Sequence, residues 1–165
     1  MRLVLFKPVW LPIPPLFIGG VFPYLVTYLD ALLPAVSFGS WRWAGVIIFI
    51  IGFILAFKSA RLIYIAEQWN EQPSPLRVPK RLVIVGPYKY VRNPMALGMS
   101  QIILGEGLYF QSIAILGYLL VLFVLGNLFL LTEEEKRLEE KFGEEYSRYE
   151  AGVGRWIPRL TPYKG

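Results

Sequence analysis

The chain has 165 residues, 55% of them hydrophobic, and a formal net charge of +5. It contains no cysteine and no histidine, which excludes disulfides, cysteine nucleophiles, Ser-His-Asp triads, cysteine-held zinc and histidine-rich metal sites. We therefore expect no metal, and chemistry must come from the remaining polar residues or from a cofactor. In so apolar a chain the positive charge indicates a cytoplasmic membrane surface rather than nucleic acid, for which no motif is present.

The first 36 residues are predicted to contain one membrane span. Four prolines in residues 1–15 disfavour a regular helix there. This start also lacks the long apolar core and small-residue cleavage site of a signal peptide. The first span is placed at about 16–36, and Pro23 inside it is expected to kink the helix.

A second span is predicted at about 43–65. Trp41 and Trp43 mark its entry from the membrane interface. Within it, Gly52, Ala56 and Ala60 are spaced four residues apart, a small-residue face that lets another helix approach closely.

A long polar connection at 67–85, interrupted by three prolines, leads to the stretch GPYKYVRNPMALG, Gly86–Gly98. Asn93-Pro94 reads as a helix start, because Asn is a strong N-cap and Pro suits the first helical position. Arg92 and Asn93 would then lie beside unpaired backbone N–H groups, which can hold a carboxylate or phosphate. The alternative is a positively charged surface loop with an ordinary cap.

Two further spans are predicted at about 94–109 and 112–131, joined by a short turn into a helical hairpin. The third is short for a membrane span, with a rise of only about 24 Å. Glu106 near its far end is the charged residue least compatible with its predicted position in a membrane span, and its partner is not evident from the sequence.

The tail at 133–150 is predicted to be an amphipathic helix lying on or just below the membrane surface. Leu138, Phe142 and Tyr149 share one face of this helix, with Glu–Arg pairs on its flanks. Gly143 is a possible interruption.

We therefore predict an all-α fold: a single domain spanning 1–165, with about four transmembrane helices and the tail helix. All but three of the 17 Lys and Arg residues then fall on the side that holds both termini and the 66–93 loop. The positive-inside rule places that side in the cytoplasm. The expectation is an integral protein of the cytoplasmic membrane, with its active site on the cytoplasmic side.

The hairpin makes the cytoplasmic ends of its two spans neighbours. Arg92 and Asn93 should therefore meet Glu133, Glu134 and Glu135 at one depth, at the rim of the bundle. A helical wheel centred on Leu138 turns Glu134 and Glu135 toward the bundle and Glu133 toward water. This juxtaposition suits a zwitterionic ligand, or it forms a structural Arg–Glu pair.

The two motifs resemble the isoprenylcysteine carboxyl methyltransferase and phospholipid methyltransferase superfamily. The usual pattern is G-x-Y-x-x-x-R-[HN]-P-x-Y-x-G, then a hydrophobic hairpin, then E-E-x-x-L-x-x-x-F-G-x-x-Y-x-x-Y and a closing Pro. In this chain the pattern falls within 81–158, on Gly86, Tyr88, Arg92, Asn93, Pro94, Gly98, Glu134, Glu135, Leu138, Phe142, Gly143, Tyr146, Tyr149 and Pro158. Asn93 replaces the His that is usual in the prenylcysteine branch, and Ala96 replaces the usual Tyr.

The resemblance implies binding of S-adenosylmethionine at the cytoplasmic rim and a lipophilic acceptor that enters from the bilayer. The acceptor is a lipid amine, or a prenylated or hydrophobic thiol or carboxylate, so membrane lipids are expected partners. Catalytic roles are assigned to Arg92 and Glu134. Cofactor contacts are assigned to Tyr88, Arg92, Asn93, Pro94, Gly98, Glu134 and Glu135.

Two other functions fit parts of the pattern. Sterol reductases that bind NADPH end in a similar Arg-His-Pro and acidic-tail pattern, but Asn93 and the small size of this chain argue against that class. A non-catalytic membrane scaffold is the other alternative, with Ala96 as the feature in its favour. Equilibrium binding of the two cofactors separates all three.

Overall fold

The structure, a computed structural model, describes residues 17–68 and 82–164, without the side chains of 67 and 68. These residues form helices and turns and no strand. We number the helices α1 to α6: α1 Phe17–Leu32, α2 Arg42–Gln68, α3 Pro94–Phe110, α4 Ile113–Phe129, α5 Glu135–Phe142 and α6 Glu144–Gly152. The Pro-rich start and most of the polar connection at 67–85 lie outside the described residues.

Helix α1 is shorter and less regular than expected. It consists of a π-helical turn, an α-helical turn that begins beside Pro23, and a 3-10 turn ending at Leu32. The predicted end at residue 36 is wrong. Leu33 adopts an extended backbone because Pro34 follows it, and a residue before proline is driven out of the helical region.

Helices α2 and α3 pack backbone to backbone through two pairs of glycines. A Cβ added to Gly52 would lie 2.7 Å from the carbonyl oxygen of Gly98, and one added to Gly45 would lie 2.6 Å from that of Gly105. A Cβ added to Gly98 would lie 2.6 Å from the backbone nitrogen of Ala56. The small-residue face predicted from Gly52 and Ala56 is therefore the surface against which α3 packs.

The short turn between α3 and α4 is held by polar caps. Gln111 adopts the left-handed conformation at the end of α3 (φ 58°), and the Ser112 hydroxyl accepts a hydrogen bond from the Ile115 amide. Asp30 of the α1 segment accepts a bond of 3.0 Å from the Ala114 amide. Asp30 thus caps the start of α4.

The tail continues directly from α4 and folds back over the bundle. A π-helical turn, Leu130–Glu134, joins α4 to α5, and Gly143 (φ 51°, ψ −126°) separates α5 from α6. The single tail helix predicted for 133–150 is thus divided in two. Its apolar residues pack on the chain itself: Tyr146, Tyr149 and Val153 form a buried cluster covered by Leu82, Ile84, Leu138, Phe142 and Tyr163. The predicted position on the membrane surface remains a prediction.

Two continuous helical stretches, Gly39–Ala66 and Ile113–Phe142, are long and apolar enough to cross a membrane. Many of their large side chains are exposed, as lipid-facing residues are; Ile47, Phe57, Leu120 and Leu125 are each more than half exposed. The α1 segment is apolar but shorter. The total of four spans and the orientation of the chain remain predictions. We call the end of the bundle where α3 begins and α4 ends the tail end.

Candidate functional site

The segment before α3 is held in place by the C-terminal residues. It begins with a 3-10 turn at Gly86–Lys89, entered through positive φ (56°) at Gly86. The Arg92 amide donates to the Gly154 carbonyl at 2.9 Å, and the Arg159 and Tyr163 amides donate to the carbonyls of Tyr90 and Lys89 at the same distance. The two family motifs are thus joined by backbone hydrogen bonds.

Helix α3 begins at Pro94, as the Asn-Pro pair predicts, and Pro94 is fully buried. The expected side-chain cap is wrong. The Asn93 side chain accepts no hydrogen bond from the first turn, and only the Asn93 carbonyl takes part, accepting from the Leu97 amide at 3.0 Å. Among the described residues the Asn93 amide group therefore remains free for another partner.

Arg92 is at the centre of a polar cluster at the tail end. Its Nη1 atom lies 3.0 Å from a Glu135 carboxylate oxygen and 2.5 Å from one of Glu150, and it donates to the Tyr146 hydroxyl at 3.2 Å. The Arg92 side chain is only 10% exposed, and its Nε atom is buried without a hydrogen-bond partner. The predicted meeting of Arg92 with the acidic residues after the hairpin is confirmed.

Glu135 is held by two arginines. Arg155 donates to both of its carboxylate oxygens, at 2.7 and 2.5 Å, while Arg92 approaches at 3.0 Å. A bidentate arginine–carboxylate pair is among the stronger polar contacts in proteins. Glu135 therefore fixes Arg92 and connects it to the C-terminal segment. The structural Arg–Glu pair, one of the two alternatives drawn from the sequence, is thus present in part.

Glu134 differs from both of its neighbours. It is half-buried, and it forms no hydrogen bond or ion pair with the described residues. Glu133 is exposed, with an i,i+4 contact of 3.8 Å to Arg137. The helical phase predicted for the three glutamates is confirmed, and Glu134 is the inward carboxylate that remains available.

Three tyrosine hydroxyls lie close to these charges. Burial raises the pKa of Tyr88, and the negative charge of Glu134 raises it further. Burial also raises the pKa of Tyr146, to about 12, with a further contribution from Glu135. The Tyr149 hydroxyl donates to the Tyr88 carbonyl at 2.6 Å. All three are neutral hydrogen-bonding groups at neutral pH, and none is a ready base.

Gly98 belongs to the packing seam. It is buried against Gly52 and Ala56 of α2, which explains why a residue without a Cβ stands there. Its predicted cofactor contact remains a prediction, and the structure gives it this other role.

A groove of about 420 Å³ runs between α3 and α4. It is lined mainly by leucines, with Ser100 and Gln101 as its polar residues, and Leu97 lies at the end nearest Asn93. Phe123 also lines it and packs on Trp156 of the C-terminal segment with ring centroids 5.0 Å apart. The apolar groove thus extends along the α3–α4 hairpin toward the tail end.

Three residues of the cluster were not assigned to the site from the sequence. Tyr146 was recognised only as part of a motif, and no pattern in the sequence assigned Glu150 or Arg155 to the site. Both lie beyond the break at Gly143, and only the return of the C-terminal segment onto 89–92 brings them to Arg92.

Comparison with known proteins identifies the class. Residues 41–145 match the phospholipid methyltransferase family, and the chain belongs to this family. The match begins at residue 41 and so includes α2, which the motif comparison over 81–158 did not. An uncharacterized protein of Haemophilus influenzae is 41% identical over 64 residues, which are 38% of this chain and all of that protein. No solved structure matches the chain.

Family membership, together with two membrane-length apolar helices, defines a membrane protein of the methyltransferase class. The reductase alternative has no support from these comparisons. Within the part of the chain that the structure describes, the polar cluster is where the two family motifs meet.

Proposed function

We propose that the protein transfers a methyl group from S-adenosylmethionine to a lipophilic acceptor that enters from the bilayer. The observation that carries the proposal is the Arg92–Glu135 contact, which joins the two family motifs at the tail end, toward which the apolar groove between α3 and α4 extends. The cluster around Arg92 is polar and charged, and the groove is apolar. Such a combination suits a polar cofactor and a hydrophobic acceptor.

The residues present fit the proposed cofactor. The methionine part carries a carboxylate and an amine, and the ribose carries hydroxyls. Arg92 offers a buried Nε atom without a partner, and Asn93 and Glu134 carry free polar groups. Arg92 and Asn93 would hold the carboxylate, and Glu134 the amine or the ribose hydroxyls.

Glu150 is the partner of Arg92 that a ligand carboxylate can replace. Its side chain is 41% exposed, whereas that of Glu135 is 13% exposed and shared with Arg155. Glu150 is the easier of the two to release, because its exposed carboxylate regains water while the ligand carboxylate replaces its charge at Arg92. Glu135 would remain and keep the guanidinium oriented.

When bound, the cofactor supplies an electrophilic methyl group on a sulfonium. The chain's own task is to align the two reactants and to exclude water, rather than to provide a strong acid or base. The groove between α3 and α4 would hold the hydrocarbon part of the acceptor. The absence of His and Cys from the chain is compatible with this chemistry.

Calorimetry on the detergent-purified protein tests the proposal. We expect S-adenosylmethionine and its demethylated product to bind and NADPH not to bind. Labelled cofactor incubated with membrane extracts then identifies the methylated acceptor. Binding of NADPH without a response to either sulfur compound would contradict the proposal.

A further inference from the structure

The C-terminal segment beyond α6 leaves two large apolar side chains uncovered. Ile157 is 81% exposed and Leu160 is 100% exposed. The segment is nevertheless fixed in place, because the Arg159 amide between them donates to the Tyr90 carbonyl at 2.9 Å. Since water is an unfavourable surrounding for large apolar side chains, both are suited to a partner that comes from outside the chain.

Trp156 attaches this segment to the apolar part of α4. Its ring packs on Phe123 with centroids 5.0 Å apart, and its Nε1 atom donates to the Asn127 side-chain oxygen at 3.1 Å. Both partners belong to the continuous helix Ile113–Phe142, which is long and apolar enough to cross a membrane. Phe123 lies ten residues before the exposed Glu133, which is roughly 15 Å along a helix. Trp156 therefore reaches below the level of the first carboxylate that follows the apolar run, where tryptophan side chains gather in membrane proteins.

Positive charge accompanies the two exposed apolar residues. Arg159 lies between them, and its guanidinium donates to the Gly152 carbonyl at 2.6 Å. Lys164 follows and is exposed, with no ion-pair partner among the described residues. Apolar side chains with cations beside them are the combination that binds at the surface of a bilayer containing anionic lipids.

We propose that the C-terminal segment anchors in the bilayer at the tail end, with Ile157 and Leu160 inserted into the interfacial layer of that leaflet. A bilayer is favoured over a protein partner because Trp156 joins the segment to the exposed apolar surface of α4, where Leu120 and Leu125 are more than half exposed. The anchor lies beyond residues 133–150, the part of the tail for which a membrane-surface position was predicted. It involves neither cofactor nor acceptor, so the inference stands whether or not the proposed function is correct.

Site-directed spin labelling in vesicles tests the anchor. The chain contains no cysteine, so Ile157→Cys and Leu160→Cys each introduce a single labelling site. The matched references are Leu125→Cys on the exposed apolar surface of α4 and Glu140→Cys at an exposed charged position of α5. In vesicles of phosphatidylcholine and phosphatidylglycerol, collisions of each label with oxygen, which concentrates in lipid, are compared with collisions with a water-soluble nickel chelate.

We expect the oxygen-to-nickel accessibility ratio of the labels at 157 and 160 to lie above that of Glu140→Cys and below that of Leu125→Cys. A ratio equal to the Glu140→Cys reference at either position would overturn the proposal. Low accessibility to both reagents at either position would also overturn it, in favour of a contact with a second copy of the chain. Thermal melts check the fold, and both variants should melt like the wild type because the replaced side chains are exposed.

Discussion

The three glutamates that follow the apolar part of α4 give a sharp test of the site. The same substitution, Glu to Gln, enters three different environments within one helical turn. Glu135 is clamped by Arg92 and Arg155, Glu134 is half-buried and unpaired, and Glu133 is exposed. The structure therefore predicts three different combinations of stability and cofactor affinity.

Glu135→Gln should lower both the stability of the protein and its cofactor affinity. The carboxylate is 13% exposed, and its arginine partners are 10% and 20% exposed. Removing one partner of a fully buried ion pair costs about 3–5 kcal/mol. Because this cluster is partly exposed, we expect a loss of about 2–4 kcal/mol of stability. Cofactor affinity should fall as well, since Arg92 and Arg155 lose the group that orients them.

Glu134→Gln should lower cofactor affinity without lowering stability. No hydrogen bond or ion pair is lost, and burial together with the charge of Glu135 raises the pKa of Glu134, so removing this carboxylate should not lower stability. Affinity for S-adenosylmethionine should fall by about 1–3 kcal/mol, the range for a hydrogen bond to a charged group. Glu133→Gln is the matched control, and neither quantity should change by more than about 0.5 kcal/mol, because exposed pairs contribute little.

The assay is a thermal melt and a calorimetric dissociation constant for each variant, in the same detergent and at the same salt. Unchanged melting of Glu135→Gln would refute the clamp between Arg92 and Arg155. Wild-type affinity in Glu134→Gln would remove Glu134 from the cofactor site. If Glu133→Gln were the most damaging variant, the helical phase of this segment would be wrong.

Other expectations follow from the same structure. Arg92→Ala should weaken cofactor binding by about 1.5–3 kcal/mol, and Arg92→Lys should rescue it only in part, because lysine lacks the planar fork; calorimetry measures both. Ser40→Cys should react with an impermeant thiol reagent from outside the cell and Ser147→Cys should not; the reverse pattern would reject the predicted orientation. Gly98→Ala should destabilise α2–α3 packing by about 1–3 kcal/mol in a thermal melt, whereas Gly117→Ala, whose added Cβ meets nothing within 4 Å, should not.

Local patterns in the sequence predicted the features that depend on local geometry. The spacing of Gly52 and Ala56 predicted the face on which α3 packs, because helical periodicity fixes which side chains share a side. The same periodicity predicted the orientation of Glu133–Glu135. The Asn93-Pro94 pair predicted the start of α3, because the fixed φ of proline suits a first helical turn.

Features that depend on where distant segments meet were not predicted. The apolar face of the tail was assigned to the membrane surface, yet Leu82, Ile84 and Tyr163 cover it. Amphipathicity shows that a face must be covered and does not show by what. The side-chain cap predicted at Asn93 was also wrong: its backbone (φ −118°, ψ 60°) lies outside the extended conformation usual for an N-cap.

The charges of the cluster lead to one further consequence of the proposed function. Arg92 and Arg155 balance Glu135 and Glu150, so Glu134 is the carboxylate here that has no ion-pair partner among the described residues. S-adenosylmethionine carries one net positive charge, and its demethylated product carries none. Coulomb attraction therefore favours the substrate form of the cofactor over the product. Glu134→Gln should weaken binding of both forms of the cofactor and should narrow the ratio of their dissociation constants. Raised salt should narrow the same ratio in the wild type. A ratio unchanged by the substitution would mean that Glu134 does not sense the sulfonium charge.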